Sequence, residues 1–235
     1  MRRVALGVSA ALLVVPATVL AADGSARASD WAAWALAVAL APFAVILLSC
    51  FVKVAVVLTV LRGAFGGSLP PRSVTAALTL LLTVFIMAPV GERVWRAIEP
   101  GLGRGDAASL ADAAAAGREP VREFLAAHAP ERERQSFLEL QRRLRAPEER
   151  ATVGEKDLLV LAPAFVVSEL RAAFQMGFLL LLPFLVLDLV VASILTTLGM
   201  TLLEPRRVAL PFKLLLFVLA DGWHLLARGL VASYG

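Results

Sequence analysis

A chain of 235 residues that is 59% hydrophobic, with a mean hydropathy of +0.79, is too apolar for a soluble domain and falls with integral membrane proteins. Its formal charge of +4 would suggest nucleic acid in a soluble protein, but the basic residues are spread over loops and helix ends with no basic patch interleaved with aromatics. The single cysteine, Cys50, excludes an intrachain disulfide, and His128 and His224 stand far apart without metal-ligand spacing. No nucleophile elbow, P-loop or glycine-rich nucleotide fingerprint is present, so no catalytic residue, cofactor, metal or nucleic-acid partner is read from the chain.

Met1–Ala22 opens with Arg2 and Arg3, continues as an apolar run to about Val15, and carries small residues at Val19 and Ala21. That pattern is expected of a secretory signal peptide, cleaved after Ala21 or Ala22. The alternative is an uncleaved first membrane helix, since Val4–Ala22 almost reaches spanning length. Asp23–Asp30 is small and polar, a linker. Trp31–Val52 is uncharged and long enough to span, with Trp31 and Trp34 where an aromatic belt would lie. Cys50 in this run reads as a small hydrophobe.

Lys53 then interrupts the apolar sequence, which resumes through Leu61. Such a lysine either snorkels to an interface or pairs with a carboxylate such as Asp188. Arg62–Arg72 is a short basic turn with Gly66, Gly67, Pro70 and Pro71, and Val74–Val90 is uncharged. Residues 23–90 therefore read as a first helical hairpin whose basic tip is cytoplasmic by the positive-inside rule.

Residues 91–157 differ in kind, mixing arginines with nearly as many acids. Val121, Phe124, Leu125, Phe137, Leu138 and Leu144 recur among these charges at helical spacings. This predicts a small helical, extracytoplasmic domain with a solvated charged surface. Gly101–Gly117 is low in complexity and is expected to be flexible.

Residues 158–235 read as a second hairpin, with Glu204-Pro205-Arg206-Arg207 at its basic tip. From Ala172 to Leu203 the only charged side chain is Asp188. A straight helix of that length would reach about 48 Å, against a hydrocarbon core of about 30 Å. The segment therefore kinks, as at Pro183, or belongs to an assembly that hides the excess. Asp188 at membrane depth either pairs with a lysine and locks helices together or marks a pathway. The absence of a second acid for a proton relay favours the first reading. Small residues four apart (Ala173 with Gly177, Ala192 with Thr196, Ser193 with Thr197) favour close helix association. The fold class predicted is an all-α membrane protein of two long, broken hairpins with a small helical extracytoplasmic domain.

The run PAFVVSELRAAFQMGFLLLLPFLVLDLVVAS, followed by LPFKLLLFVLADGW, resembles the SctR/FliP family of type III secretion export-gate proteins. FVKVAVVLTVLRGAFGG and the MAPVG after Phe85 resemble the same family's first hairpin. Together the similar blocks cover Ser49–Gly91 and Leu158–Gly235. Lys53 after Phe51-Val52, Gly91 after Ala88-Pro89-Val90, and the ending GLVASYG lean to the injectisome branch, SctR, over the flagellar branch, FliP.

The resemblance implies a pentamer of this chain, assembled into a helical pore complex with SctS-like and SctT-like subunits and served by an SctU-like switch protein. Unfolded proteins would pass through it across the bacterial inner membrane. It also implies that Glu169, Asp188 and Lys213, with Lys53 as a further partner, act as buried charges in assembly. The family's closed pore is constricted by a methionine loop after the long third segment. The matching run here is Gly199-Met200-Thr201-Leu202-Leu203, which keeps only Met200 of the cluster, so Met200, Leu202 and Leu203 are the candidate gate. The rival readings are a flagellar gate, a small-ion transporter, and a membrane enzyme resting on Asp188 and His224, a pair that lacks a nucleophile or metal partner.

Overall fold

A computed structural model describes residue 39 and residues 42–102, 107–200 and 202–235. The expected signal peptide and linker lie outside the described residues, as does the start of the first apolar run. Every regular element among the described residues is helical. After a short helical stretch at 42–47 come α1 (Phe51–Ala64), α2 (Arg72–Leu102), α3 (Ala107–His128) and α4 (Glu131–Leu144). A 3₁₀ turn (Pro147–Thr152) leads to α5 (Leu158–Thr197), α6 (Pro205–Leu219) and α7 (Gly222–Ala232).

Two helices are long and apolar enough to cross a membrane, α2 and α5, and α6 with α7 would make a third span if the pair is taken together. At 40 residues α5 is about 60 Å long, roughly twice the hydrocarbon thickness. It runs without interruption past Pro163 and Pro183. A proline removes one hydrogen bond, but an apolar surrounding offers the flanking backbone no better partners than the helix itself. Likewise α2 carries Pro89 and Pro100 inside it, so helix continues beyond the apolar run that ends at Val90. The break falls between α6 and α7, which meet at 61°. Asp221 stands at that corner with φ 49°, ψ 47°, the left-handed conformation that ends one helix and re-aims the next.

The chain divides into two compact units. The first comprises the described residues within 1–49 and 87–168. Its core forms where α3 meets the start of α5: Leu125, Leu161 and Phe165 are fully buried, and the Phe124 and Phe165 rings lie 5.5 Å apart. At the end of α3, the His128 Nδ1–H donates to the Phe124 carbonyl at 2.8 Å, and Ser168 Oγ donates to the His128 carbonyl at 3.3 Å. Leu138 on α4 packs with Val153, Val160 and Phe137. Leu144, expected on the apolar face, is instead largely exposed. The charges sit on the surface as pairs within single helices, such as Arg122 with Glu119 and Arg96 with Glu92. Pairs of that kind contribute about 0.3–0.5 kcal/mol each, so they solubilise this unit more than they hold it. Low complexity over Gly101–Gly117 suggested flexibility; from Ala107 onward it is regular helix, because its alanines favour helix strongly.

The second unit comprises Cys50–Ile86 with Glu169–Gly235. Phe65, Phe184 and Phe217 form an aromatic cluster with centroids 5.2 Å and 5.5 Å from Phe65, and Trp223 joins it edge-on to Phe217 at 5.3 Å. The backbones of α1 and α5 approach closely at Gly177, where an added Cβ would meet Val60 at 3.1 Å. The neighbouring Ala173 is fully buried, so this small pair is used inside the chain. Ser193, Thr196 and Thr197 remain exposed on α5, the two threonine hydroxyls bonding back to the Ala192 and Ser193 carbonyls.

Candidate functional site

All seven residues singled out from the sequence fall in the second unit, and the structure sorts them into three places. The first is an ion pair between α1 and α5. Lys53, in the opening turn of α1, reaches Glu169 with Nζ 3.0 Å from Oε1, and both side chains are about 5% exposed or less. Chain ends supply the rest of its surroundings. Ser233 Oγ lies 3.3 Å from Lys53 Nζ, the Tyr234 ring sits under that ammonium at 4.1 Å, and the Tyr234 hydroxyl donates to Glu169 Oε2. Each charge thus has an opposite charge and a neutral partner, the arrangement that a buried ion pair needs.

The second place joins α5 to α6. Lys213 Nζ donates at 2.7 Å to Asp188 Oδ2 and at 2.8 Å to the carbonyl of Ala64. Ala64 is the last residue of α1, so its carbonyl has no partner within the helix and lies at the negative end of the helix dipole. One ammonium therefore ties three helices together. This pair is less enclosed than the first: Lys213 is 5% exposed at its side chain but Asp188 is 27% exposed. Asp188 Oδ1 is itself buried and accepts no hydrogen bond among the described residues. Lys53 pairs with a carboxylate, but with Glu169 in place of the Asp188 suggested from the sequence, leaving Asp188 to Lys213.

The third place is the loop that follows α5. Helix hydrogen bonding ends in a paired cap: Gly199 N–H donates to the Thr196 carbonyl and Met200 N–H reaches back to that of Leu195. Gly199 has φ +72°, which a residue with a Cβ adopts only at a cost, and the turn throws Met200 clear of the helix axis. Leu202 is fully exposed, with Met200 and Leu203 about half exposed. Leu198 before the turn is also largely exposed. On the far side Pro205 starts α6 at its first turn, where a missing N–H costs nothing, and Glu204 pairs with Arg207 at 2.7 Å.

Among the described residues no three His, Cys, Asp or Glu side chains are grouped to hold a metal. Asp188 is engaged by Lys213, and what the geometry sets out is a set of ion-paired helices carrying an exposed apolar loop. Sequence reasoning missed Ser233 and Tyr234 as members of the first ion pair. The residues were in view, in the ending GLVASYG, but nothing in linear spacing puts a chain end beside Lys53.

Two membrane-length apolar helices, a bent third pair, and charges closed off between them define a polytopic helical membrane protein. The chain belongs to the FliP family, whose model matches residues 35–230. It is 46% identical over 200 residues to the pathogenicity-related ORF2 product of Xanthomonas campestris pv. glycines, covering 83% of this chain and 91% of that protein. To the hypersensitivity response secretion protein HrcR of Ralstonia nicotianae it is 44% identical over 207 residues, covering 85% and 94%. The flagellar biosynthetic protein FliP of Caulobacter vibrioides is 45% identical over 197 residues, with 83% of this chain and 72% of that protein covered.

Proposed function

We propose that this protein is a core subunit of the inner-membrane export gate of a type III secretion system, through which unfolded proteins leave the cell. It works as a pentamer with SctS-like, SctT-like and SctU-like partners. The observation that carries this reading is the end-to-end similarity to a secretion protein, HrcR, over 85% of this chain and 94% of that one. Identity alone does not separate the branches, since the flagellar relative stands at 45%. Lys53, Gly91 and the ending GLVASYG favour the injectisome branch.

The geometry suits the role. Ion pairs fix α1, α5 and α6 to one another without using the outer faces of α5 and α6, which keep Phe174, Phe178, Leu185, Leu189, Leu215 and Val218 exposed. An apolar surface of this extent is covered either by lipid or by neighbouring subunits. Five copies would bring five loops carrying Met200, Leu202 and Leu203 to one axis. A narrow apolar ring holds back ions because water wets it poorly, yet a polypeptide can push it apart. In this arrangement residues 91–157 lie on the periplasmic side, opposite the two basic tips.

Deleting the gene and separately assaying secretion and swimming tests the reading. Loss of type III substrate secretion with motility intact is expected. Loss of motility with secretion intact would assign the protein to the flagellum. Purification as a lone chain that transports small ions in vesicles would make it a transporter.

A further inference from the structure

The turn between α1 and α2 carries two arginines that the ion pairs do not use, and they stand at one end of a groove. From α1 the groove is lined by Phe51, Ala55, Thr59 and Arg62, a spacing that keeps all four on one helix face. From α2 it is lined by Arg72, Ala76 and Leu80 at the same kind of spacing, with Thr75 and Thr79 between them. Its volume is about 330 Å³, at the small end of ligand sites. All of these residues belong to the second unit.

Both arginines fall at the turn end of their stripes, whereas Phe51 and Leu80 fall at the other. Thr59, Thr75 and Thr79 use their hydroxyl protons on the carbonyls of Ala55, Pro71 and Thr75 within their own helices. The wall they form is therefore closer to apolar than its composition suggests. Arg62 Nε donates to the Pro70 carbonyl at 3.1 Å, which steadies the guanidinium against the turn. Among the described residues neither Arg62 nor Arg72 forms an ion pair, and the sequence from Pro42 to Gly91 contains no aspartate or glutamate.

We propose that this groove binds an anionic phospholipid, with its phosphate held by Arg62 and Arg72 and one acyl chain lying along the apolar stripe. The proposal rests on the membrane reading and is independent of the secretion reading. Charge complementarity calls for an anion, and a second copy of the 42–91 stretch, which is basic and without acids, cannot supply one. Length then separates a lipid from a free phosphate. From Phe51 to Arg62 the stripe rises about 16 Å, close to half of the roughly 30 Å hydrocarbon core, which is the depth of one leaflet's chains. The arginines lie where a headgroup would, at the basic end of a membrane hairpin, and basic pockets between membrane helices on the cytoplasmic side are suited to such headgroups. The first turn of α2, which begins at Arg72, adds unpaired backbone N–H groups at the same place.

The test uses the full chain as it is recovered from membranes, placed in nanodiscs of phosphatidylethanolamine containing a minor fraction of phosphatidylglycerol, with retained lipid measured by native mass spectrometry. Wild type is expected to retain phosphatidylglycerol selectively. Arg62→Gln with Arg72→Gln should reduce that retention roughly tenfold or more, given about 1 kcal/mol for each basic residue near a lipid headgroup. Arg62→Lys with Arg72→Lys should keep most of it, which guards against a fold defect in the glutamine variant. Ala76→Leu fills the groove with both arginines in place and should also release the lipid. Tens of millimolar inorganic phosphate should not displace it. Equal retention of phosphatidylethanolamine, unchanged retention in the double glutamine variant, or displacement by phosphate with no effect of Ala76→Leu would each overturn the proposal. So would a cysteine at Thr59 that cross-links efficiently to another protein chain in a lipid-free complex, since the occupant would then be protein.

Discussion

Lys53 and Leu202 have exchanged the places they would hold in a soluble protein. The lysine, with Glu169 and Lys213, is at most 4% exposed, while Leu202 is completely exposed at the tip of a loop. Inside the second unit the buried charges Lys53, Glu169 and Lys213 each meet a partner of opposite sign. Outside it the apolar side chains are left for lipid or for other subunits. The contrast teaches where function is to be sought. In a membrane helix bundle an enclosed charge must be paired or it destabilises the fold, so the ion pairs hold the helices of this unit to one another. An exposed apolar loop does nothing for the folded chain by itself, so its chemistry is kept for what it meets outside.

The sharpest way to break this contrast is at Lys53 and Glu169. Removing one member of a fully buried pair typically costs about 3–5 kcal/mol because the other charge is left uncompensated. Lys53→Ala and Glu169→Ala should each abolish recovery of the assembled complex on native gels. The double variant Lys53→Met, Glu169→Leu should be much milder than either single change, since it leaves no orphaned charge. A double variant as damaging as the singles would mean that the charges themselves are needed, for a pathway and not for fastening.

Asp188 and Lys213 should follow at a smaller effect. Asp188 has access to solvent or to a neighbour that Glu169 lacks, so Asp188→Ala should lower the yield of complex without eliminating it. Lys213→Ala should do somewhat more, because it leaves both Asp188 and the end of α1 without their donor. Assembly is expected to fail before export does. If both variants assemble normally but do not secrete, measured by complex yield against substrate in the medium, the fastening role is wrong for this pair. Smaller again is Tyr234→Phe, which keeps the ring beneath Lys53 and removes only the hydroxyl on Glu169. A hydrogen bond to a charged group contributes about 1.5–3 kcal/mol, so the melting temperature of the complex should fall modestly with export retained.

These cases also show how far the sequence could be read. Charge within apolar runs is visible without coordinates, because so few side chains break a hydropathy pattern of this strength, and Lys53, Glu169, Asp188 and Lys213 stood out for that reason. Which lysine meets which acid was not legible. Pairing depends on how α1, α5 and α6 cross, and the candidate partner Asp188 for Lys53 is replaced by Glu169. Pro183 lies inside α5, which stays helical through it, while the corner between α6 and α7 falls at Asp221-Gly222, an aspartate-glycine step of the kind that favours turns. Gly199 and Pro205 mark the ends of the loop by local devices, a left-handed cap and a first-turn proline, that need no tertiary partner.

The smallest expected effect on stability, and the most direct on function, lies in the loop those two residues delimit. Met200→Ala with Leu202→Ala removes side chains that touch little of the folded chain, so the variant should stay within about 0.5 kcal/mol of wild type and assemble normally. If five such loops form the closed constriction, shortening them widens it and lets water through. Cells or vesicles carrying the variant complex should then leak small ions and solutes, read as dye release or loss of membrane potential, without added substrate. Leu180→Ala with Leu181→Ala is the control: both residues are half-buried on α5, well before the loop, and a leak from them should occur only if the assembly itself fails. Leu202→Met, an apolar change of similar volume, should keep the seal. A double alanine variant that assembles, secretes and remains as tight as wild type would move the constriction to another element. The apolar loop would then be a support for a plug supplied by a partner subunit, and its full exposure in the single chain would reflect a packing surface and not a pore.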